Sequence, residues 1–277
     1  MKNINFMFCS FRENLIARVL SDIPFAGTVF IFPTEANKNI ALKNFQAQWH
    51  FSQTLFLTME EFKELCFYSN RPLIIEEKRT LALYGSLTEK DKIFFNLNNY
   101  FQSLETAQHL FDLWEEFNEE LVDEKKISRE KFAALGVELS EWQKKTFERL
   151  KTIKRNYKNF LMSKKVDDVI FLYTPSNINF FQFNNFQRFV ILNQFYYTGL
   201  EKKIINRLAE SGKDVSIYYQ MSESLVDKTN LNVRSFSMHE LHECQYKNLT
   251  IVESKNDFSM ITSLLEHIKK KRGKPDS

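Results

Sequence analysis

Two neutral amides, Asn193 and Gln194, stand where an α/β nucleotide hydrolase would carry an acid. They follow the apolar run FVIL, and an amphipathic segment closed by Ser211-Gly212 and the alternating run VSIYY come next. This order predicts a strand–helix–strand crossover unit, in which the loop after the first strand lies at the carboxyl edge of a parallel sheet. A carboxylate in that loop could hold magnesium, whereas an amide oxygen carries no charge to offset the metal. The sequence therefore predicts the outline of a nucleotide site without its metal chemistry.

A second requirement of nucleotide hydrolysis is missing near the N-terminus. A glycine-rich loop with Lys and Ser/Thr normally cradles the phosphates through backbone amides. The corresponding stretch here is CSFRENLIARVL, which has no glycine and no Lys-Ser/Thr pair. Because Arg12 and Glu13 resist the backbone angles of an amide nest, we expect no ATP hydrolysis and no bound cofactor.

A nuclease triplet is a weaker candidate. Glu253-Ser254-Lys255 has the E-x-K spacing that a metal-dependent nuclease uses for a metal carboxylate and an adjacent lysine. Such a site needs an upstream acid, for which Asp214 or Asp227 is conceivable. Short triplets of this kind also occur by chance at strand ends, and we favour that interpretation.

Two further groups have suitable residue types but unsuitable placement. His239, His242 and Cys244 in HELHEC match no zinc spacing, and a polar loop or helix face explains them better. Asp167-Asp168 precedes a predicted strand instead of following one, which favours a turn at the wrong sheet edge for catalysis.

The first clear strand of the chain ends at Pro33-Thr34, before a predicted helix. Free amides at a helix N-terminus suit phosphate, and Asn37 and Lys38 in the first turn would extend such a contact. The alternative is structural: Pro33 stops the strand and Thr34 caps the helix. Lys38 is unfavourable for the helix dipole unless it has an anionic partner.

Hydrophobic periodicity places these residues on elements. It predicts strands at 28–32, 55–58, 169–173, 189–192, 215–219 and 249–253, with helices at 35–48, directly after Thr58, and at 256–271. Thr58 and Glu61 form a capping-box pattern at the start of the helix after Thr58. Between about 76 and 165 the strand signals vanish and helical patterns take over. We predict an α/β fold, a three-layer parallel sheet, divided into 1–75, a helical insertion at 76–165, and 166–277.

Charge is distributed unevenly between two helical segments of this insertion. Residues 105–124 carry eight acids and no Lys or Arg, and residues 138–165 carry nine bases against three acids. The second segment has an apolar stripe that includes Trp142, and another face formed by four bases: Lys144, Lys151, Arg155 and Lys158. Two interpretations stay open. The charged faces of the two segments are solvated helix faces and the segments pack against each other, or the basic face follows a nucleic-acid backbone.

Composition sets wider limits. The chain has 277 residues, a formal net charge of +3 and 28 Phe, so the whole-chain charge favours no particular partner. Three scattered cysteines suit a reducing, cytoplasmic location. We predict no signal peptide and no membrane association, since no run approaches about 18 uninterrupted apolar residues.

Five segments of the chain follow a known order: VFIFPTEANKNIALKNF, LFLTMEEFKELCF, the helical insertion, FVILNQFYYTGLEKKIINRLAESGKDVSIYYQ and LTIVESKNDFSMITSLLEHIKK. This order resembles the N-terminal helicase-like region of AddB-type proteins, the partner subunits of bacterial double-strand-break repair helicase–nucleases. Several members of that family are described as PD-(D/E)XK nuclease proteins. The resemblance implies a P-loop-type superfamily 1 motor domain with an inserted helical subdomain, in a chain that is a fragment of a longer protein.

The resemblance implies a non-catalytic domain that binds DNA, either single-stranded or at a duplex end, and docks an AddA-like helicase–nuclease subunit. Phosphate contacts are expected from Thr34, Asn37, Lys38 and the basic helix face. The parent protein could carry a PD-(D/E)XK exonuclease further along its chain. The alternatives are a protein–protein scaffold without DNA contact, and an active ATPase whose phosphate loop has an unfamiliar sequence.

Overall fold

A computed structural model describes residues 4–47, 53–123 and 140–234 of the chain. The predicted strand at 249–253, the predicted helix at 256–271, the E-x-K triplet and the HELHEC segment lie outside the described residues. All structural statements below refer to the three described ranges.

The described strands are β1 (Ile4–Phe8), β2 (Thr28–Phe32), β3 (Thr54–Thr58), β4 (Arg188–Leu192), β5 (Asp214–Tyr219), β6 (Val226–Asp227) and β7 (Asn232–Val233). The described α-helices are α1 (Leu15–Asp22), α2 (Glu35–Ala47), α3 (Met59–Leu65), α4 (Glu77–Ser86), α5 (Glu89–Phe94), α6 (Tyr100–Glu119), α7 (Glu141–Lys164), α8 (Val169–Leu172) and α9 (Gly199–Glu210). Short 3-10 turns lie at Pro175–Asn177, Phe181–Phe183 and Glu223–Leu225.

A five-stranded sheet with the order β1-β5-β4-β2-β3 forms the centre of the described protein. Every pairing in it is parallel. All residues of β2 are buried, as are all but the first of β4 and β5, whereas the two edge strands are only partly buried. This pattern explains why β2, β4 and β5 are near-continuous apolar runs. The predicted α/β class with a parallel sheet is confirmed.

Helices cover both faces of this sheet. On one face, α1 and α2 pack against Phe30, Phe32, Val190 and Leu192 through a buried cluster. On the other face, α3 and α9 pack against the alternate residues of the same strands. Because successive side chains of a strand point to opposite faces, each central strand contributes to both clusters.

The β4–α9–β5 unit has the predicted form. Helix α9 begins after Thr198, whose side chain and that of Glu201 form a reciprocal capping box. It ends at Ser211, and Gly212 takes a positive φ of 84°, which glycine adopts without steric cost. The predicted strands at 28–32 and 55–58, the helix at 35–48 and the capping box of Thr58 and Glu61 are also confirmed, within one residue at their ends.

Residues 169–173 were predicted as a strand, and this prediction is wrong. They contain the short helix α8, which Asp168 caps by accepting a hydrogen bond from the Ile170 N–H at 3.0 Å. A short apolar run cannot be assigned to helix or strand by periodicity alone. The predicted turn at Asp167-Asp168 is also wrong, because Asp167 forms a β-bridge with Leu73 and Asp168 has the extended backbone of a helix N-cap. Asp168 is fully buried and ion-paired to Arg79, with Arg79 Nε 2.8 Å from Asp168 Oδ2.

Strand β1 was not predicted. Its burial alternates along INFMF, and it pairs with β5 at the edge of the sheet. The loop that follows it therefore lies at the same edge as the loops after β2 and β4.

The helices between β3 and β4 in the sequence form a third apolar cluster around Trp114, Ile153 and Tyr157. Trp142, which was expected in the apolar stripe of α7, is 67% exposed, because it lies at the start of the helix, outside this cluster. The division of the chain at 75 and 165 stays a prediction. Within the described ranges, no helix has the combination of length and apolar character that crossing a bilayer needs.

Candidate functional site

The loop after β1, residues 9–14, has no phosphate-binding geometry. None of its residues takes a left-handed backbone conformation, which the alternating angles of an amide nest require. Asn14 instead caps α1 by accepting a hydrogen bond from the Ala17 N–H at 3.1 Å. The Glu13 N–H donates to the Ser10 carbonyl at 3.1 Å, so the loop closes on itself.

Asn193 connects the carboxyl ends of β4 and β5. Its φ is 51°, in the left-handed region that Asn tolerates better than most residues. Its N–H donates to the Tyr218 carbonyl at 2.7 Å, and its Oδ1 accepts from the Gln220 N–H at 3.0 Å. The amide of Asn193 therefore binds the protein's own backbone at the place where a hydrolase would present a metal ligand.

Gln220 extends this connection to the loop after β1. Its Nε2 donates to the Glu13 carbonyl at 2.8 Å and to the Ser10 carbonyl at 3.4 Å. Together, Asn193 and Gln220 tie the ends of β4, β5 and β1 to one another. We call this pair the amide clamp. Its hydrogen bonds use neutral groups throughout.

Gln194 is also bound internally. Its Nε2 donates to the Tyr196 carbonyl and to Glu201 Oε2, both at 3.1 Å. Glu201 also accepts from the Thr198 N–H at 3.0 Å. Burial raises the pKa of Glu201, against the opposing effect of the Thr198 hydrogen bond and the Lys63 charge. This carboxylate therefore serves the start of α9, and within the described ranges no group of three His, Cys, Asp or Glu side chains is placed to hold a metal.

The loops after β2 and β4 meet at one cleft of about 590 Å³. Its lining brings together the predicted residues Asn37, Asn193 and Gln194 with two aromatic side chains, Phe195 and Tyr196. Phe195 is 47% exposed and Tyr196 is 58% exposed. Sequence analysis did not single out these two rings, although they directly follow Gln194.

Thr34 has the structural role that was its alternative. Its Oγ1 accepts a hydrogen bond from the Asn37 N–H at 3.3 Å, and its carbonyl accepts from the Lys38 N–H at 3.1 Å. Both are bonds of the first turn of α2. Asn37 lines the cleft and Thr34 does not, and the Asn37 N–H, one of the free amides of this helix end, is already bonded to Thr34.

Lys38 has the anionic partner that its position in the first turn requires, and that partner is internal. Its Nζ lies 2.7 Å from Glu61 Oε1 and 2.8 Å from Glu35 Oε2, and the residue is only 8% exposed. The two carboxylates raise the pKa of the Lys38 ammonium. Lys38 thus joins α2 to α3, and the expectation that it contacts DNA phosphate finds no support in this geometry.

The basic face of α7 divides into two halves. In the first half, Lys144 is ion-paired with Glu141, and Lys151 Nζ lies 3.3 Å from Glu148 Oε1. These acids share the face because residues three apart are neighbours on a helix. In the second half, Arg155 and Lys158 are exposed, and neither has an ion pair within the described residues. The structure therefore leaves two of the four predicted bases with uncompensated charge.

Several residues were missed by the sequence analysis. Gln220 follows β5 as Asn193 follows β4, and because neighbouring parallel strands end at the same edge, this position was a usable signal. Lys63 was not: its Nζ lies 2.6 Å from Glu119 Oε1, on a helix 56 residues later. Glu119 Oε2 in turn accepts from the Thr198 hydroxyl at 2.8 Å, so α6 is bound to the start of α9. Gly199 allows this approach, since a Cβ there would lie 3.2 Å from the Glu119 carbonyl oxygen.

No protein-family model matches this chain, and no curated protein matches it significantly.

Proposed function

We propose that this chain is a helicase-like α/β domain that binds DNA and docks a motor subunit without hydrolysing nucleotide, as part of an AddB-type repair protein. The observation that carries the proposal is the amide clamp. It lies at the sheet edge where an active motor needs a phosphate loop and a magnesium-binding acid, and it fills that edge with neutral hydrogen bonds between strand ends.

The order of the strands supports the helicase-like part of this proposal. Parallel strands with the loops after β1, β2 and β4 at one edge give the arrangement in which α/β proteins bind their ligands. Helices α4 to α7 lie between β3 and β4 in the sequence and have their own apolar cluster, as an inserted subdomain would. A cytoplasmic location is part of the proposal, in line with Cys9 and Cys66, which are both free thiols.

Nucleotide chemistry does not fit the residues at this edge. A bound magnesium–nucleotide would need backbone amides after β1 and at least one carboxylate after β4. The chain offers a loop closed by Ser10 and Gln220, and an amide at Asn193. We therefore assign DNA contact, and not ATP hydrolysis, to this domain.

DNA contact is supported by Arg155 and Lys158, which have no ion pair with any residue that the structure describes, and by the exposed rings Phe195 and Tyr196. Cations neutralise phosphates, and exposed aromatic rings accept stacked bases of a single strand. The paired bases Lys144 and Lys151 contribute less, because the acids beside them would repel the same phosphates.

The test uses the full 277-residue chain. Fluorescence anisotropy with labelled single-stranded and duplex oligonucleotides, at about 50 and 200 mM salt, should show binding that weakens steeply with salt. In the same preparation, phosphate release from ATP with magnesium should stay at the buffer background. Turnover of ATP would refute the non-hydrolysing assignment, and absence of oligonucleotide binding at low salt would refute the DNA-binding assignment.

A second candidate is a protein scaffold, and one surface favours it. A cleft of about 310 Å³ between α3 and α6 is lined by two bases, Lys63 and Arg79, and by five acids: Glu60, Glu64, Glu115, Glu116 and Glu119. The bases are ion-paired with Glu60, Glu115 and Glu119, which leaves Glu64 and Glu116 as exposed acids without an ion pair in the described residues. Acids repel nucleic acid and suit a basic protein surface. A shift titration without any DNA binding, together with salt-sensitive binding of a poly-lysine peptide that Glu116→Gln weakens, would select the scaffold.

A further inference from the structure

We propose that a cleft between residues 68–71 and α7 binds single-stranded nucleic acid, with Tyr68 stacking on a base and with Arg71 and Lys158 contacting phosphates. The inference rests on the proposed DNA-binding function and names a site for it. This cleft has a volume of about 490 Å³, within the range of about 300–1,000 Å³ that ligand sites occupy. It is distinct from the cleft at the carboxyl edge of the sheet, with which it shares no lining residue.

The loop that carries Tyr68 and Arg71 is held at both ends by backbone hydrogen bonds. Before it, Phe67 forms a β-bridge with Ile178. After it, Leu73 forms a bridge with Asp167, and the Asp167 N–H donates to the Pro72 carbonyl at 3.0 Å. The loop is therefore fixed in place before any ligand arrives, which lowers the entropy that binding has to overcome.

The ring of Tyr68 is exposed to solvent and does not contribute to the apolar core. Its side chain is 64% exposed, while Phe67 beside it is buried and stacks on Tyr173, with ring centroids 4.8 Å apart. The buried neighbour anchors the loop, and the exposed ring is left to contact a ligand. Stacking on such a ring is tolerant of base identity, because every base has a π-face.

The charges around the cleft suit phosphate. Lys158 is exposed, has no ion pair in the described ranges, and lies with its Nζ 5.4 Å from the centre of the Phe171 ring. Arg71 is 44% exposed, and its Nη1 is 3.7 Å from Asp167 Oδ1. Asp167, the carboxylate in the lining, accepts a hydrogen bond from the Ser69 hydroxyl at 2.6 Å. Arg71 and Lys158 bring two positive charges to the cleft against the one negative charge of Asp167, so the net charge of its lining is positive.

The cleft also explains which part of the basic helix face would be used. Lys158 lies on the second half of α7 and has no ion pair in the described ranges, and Arg155, of which the same is true, lies on the same face one turn earlier. A strand that enters the cleft at Tyr68 and Lys158 would continue along Arg155. Lys144, which is paired with Glu141 at the other end of the helix, would be outside its path.

The experiment measures binding of labelled dT20 to the full chain by fluorescence anisotropy between about 50 and 200 mM salt. Tyr68→Ala should weaken binding about fivefold or more, and Tyr68→Phe, which keeps the ring, should stay close to the wild type. Lys158→Gln should reduce the slope of log K against log salt by about 1, the loss of one phosphate contact. Lys144→Gln removes the same charge from the same helix and should change the slope by clearly less than Lys158→Gln, because Lys144 is ion-paired with Glu141.

The outcomes separate the cleft from the wider function. If dT20 binds and neither Tyr68→Ala nor Lys158→Gln alters it, the cleft is overturned and the DNA-binding function stands. If no oligonucleotide binds, the function itself fails and takes the cleft with it. If a poly-glutamate peptide binds in a Lys158-dependent way and dT20 does not, the cleft takes an acidic protein segment and the proposal is overturned. Thermal melting of each variant shows that it is folded, which the exposure of both side chains predicts.

Discussion

Two polar clusters of this protein use opposite chemistry. In the helical region, Asp168 accepts hydrogen bonds from Arg79 Nε at 2.8 Å, from Arg79 Nη2 at 3.0 Å and from the Tyr157 hydroxyl at 2.8 Å. Glu115 adds a second carboxylate, 2.7 Å from Arg79 Nη2. At the carboxyl edge of the sheet, the amide clamp of Asn193 and Gln220 makes the connections with neutral groups.

The difference shows where this chain uses charge. Buried ion pairs cost desolvation and persist only when both partners are present and hydrogen-bonded, as they are around Asp168. Lys38 and Lys63 are likewise ion-paired with carboxylates of the protein itself. The edge that would need charge for nucleotide and magnesium has neutral amides instead. Ion pairs therefore hold the helices together, while neutral hydrogen bonds hold the strand ends at the carboxyl edge of the sheet. These hydrogen bonds would have to break for a phosphate loop to form there.

The largest expected effect comes from breaking the charged cluster. Asp168→Ala leaves the Arg79 guanidinium and the Tyr157 hydroxyl without their buried acceptor and removes the cap of α8. Removing one partner of a buried pair typically costs about 3–5 kcal/mol. We expect a loss of this size in the free energy of unfolding, measured by urea denaturation.

The neighbouring residue provides the control. Asp167→Asn removes the same charge from a half-exposed side chain whose ion pair with Arg71 spans 3.7 Å, and exposed pairs contribute about 0–1 kcal/mol. Equal losses in the free energy of unfolding for the two variants would show that Asp168 is not the centre of the cluster. The helical region would then not depend on buried charge, and its contrast with the amide clamp would not hold.

Much of the α/β frame could be predicted because its signals are local. Strand β2 is a continuous apolar run, and α9 has a capping box at one end and Gly212 at the other. The partner acids of Lys144 and Lys151 were also within reach, since each lies three residues earlier on the same helix. The count of nine bases against three acids included them, but defining the face by four bases without placing Glu141 and Glu148 beside it overstated its positive charge.

The remaining features depend on contacts between distant residues, which no local pattern contains. Arg79 and Asp168 are 89 residues apart, and Lys38 and Glu61 are 23 apart. Strand β1 was missed because its apolar run is short and only its pairing with β5 fixes it as a strand. For the candidate site, sequence analysis found Asn193 and Gln194 but could not show that Gln220 completes the clamp.

An intermediate effect is expected at the clamp. Asn193→Ala loses the hydrogen bond to the Gln220 N–H, worth about 0.5–1.5 kcal/mol, and puts alanine at a φ of 51°, which costs about 1–2 kcal/mol. Asn193→Asp keeps an acceptor and tolerates this conformation, so it should be close to the wild type in urea denaturation. An unchanged free energy of unfolding for Asn193→Ala would show that the clamp does not hold the strand ends.

Asn193→Asp also sharpens the comparison, because it returns a carboxylate to the edge. Without a phosphate loop after β1, we expect no phosphate release from ATP with magnesium in this variant. Turnover in Asn193→Asp alone would show that the missing acid was the sole defect, and that the loop at 9–14 can accept phosphates after all.

The smallest effect is expected at Glu201, the one buried carboxylate beside the clamp. Because burial raises its pKa above the ordinary value of 4.5, the folded state binds this proton more tightly than the unfolded state. Stability therefore falls as the pH rises through the interval between the unfolded and the folded pKa. Glu201→Gln removes this dependence and keeps an acceptor for the Thr198 N–H, so its stability relative to wild type should increase from pH 4 to pH 7.

Urea denaturation at several pH values measures this difference, with Glu210→Gln on the exposed end of α9 as the control for net charge. A difference that decreases with pH would mean that the Glu201 carboxylate is stabilised in its ionised form by Thr198 and Gln194. The clamp would then lie beside a fixed negative charge. In that case both regions of the protein would depend on buried ions, and the neutrality of the edge could no longer support the proposal that it binds no magnesium.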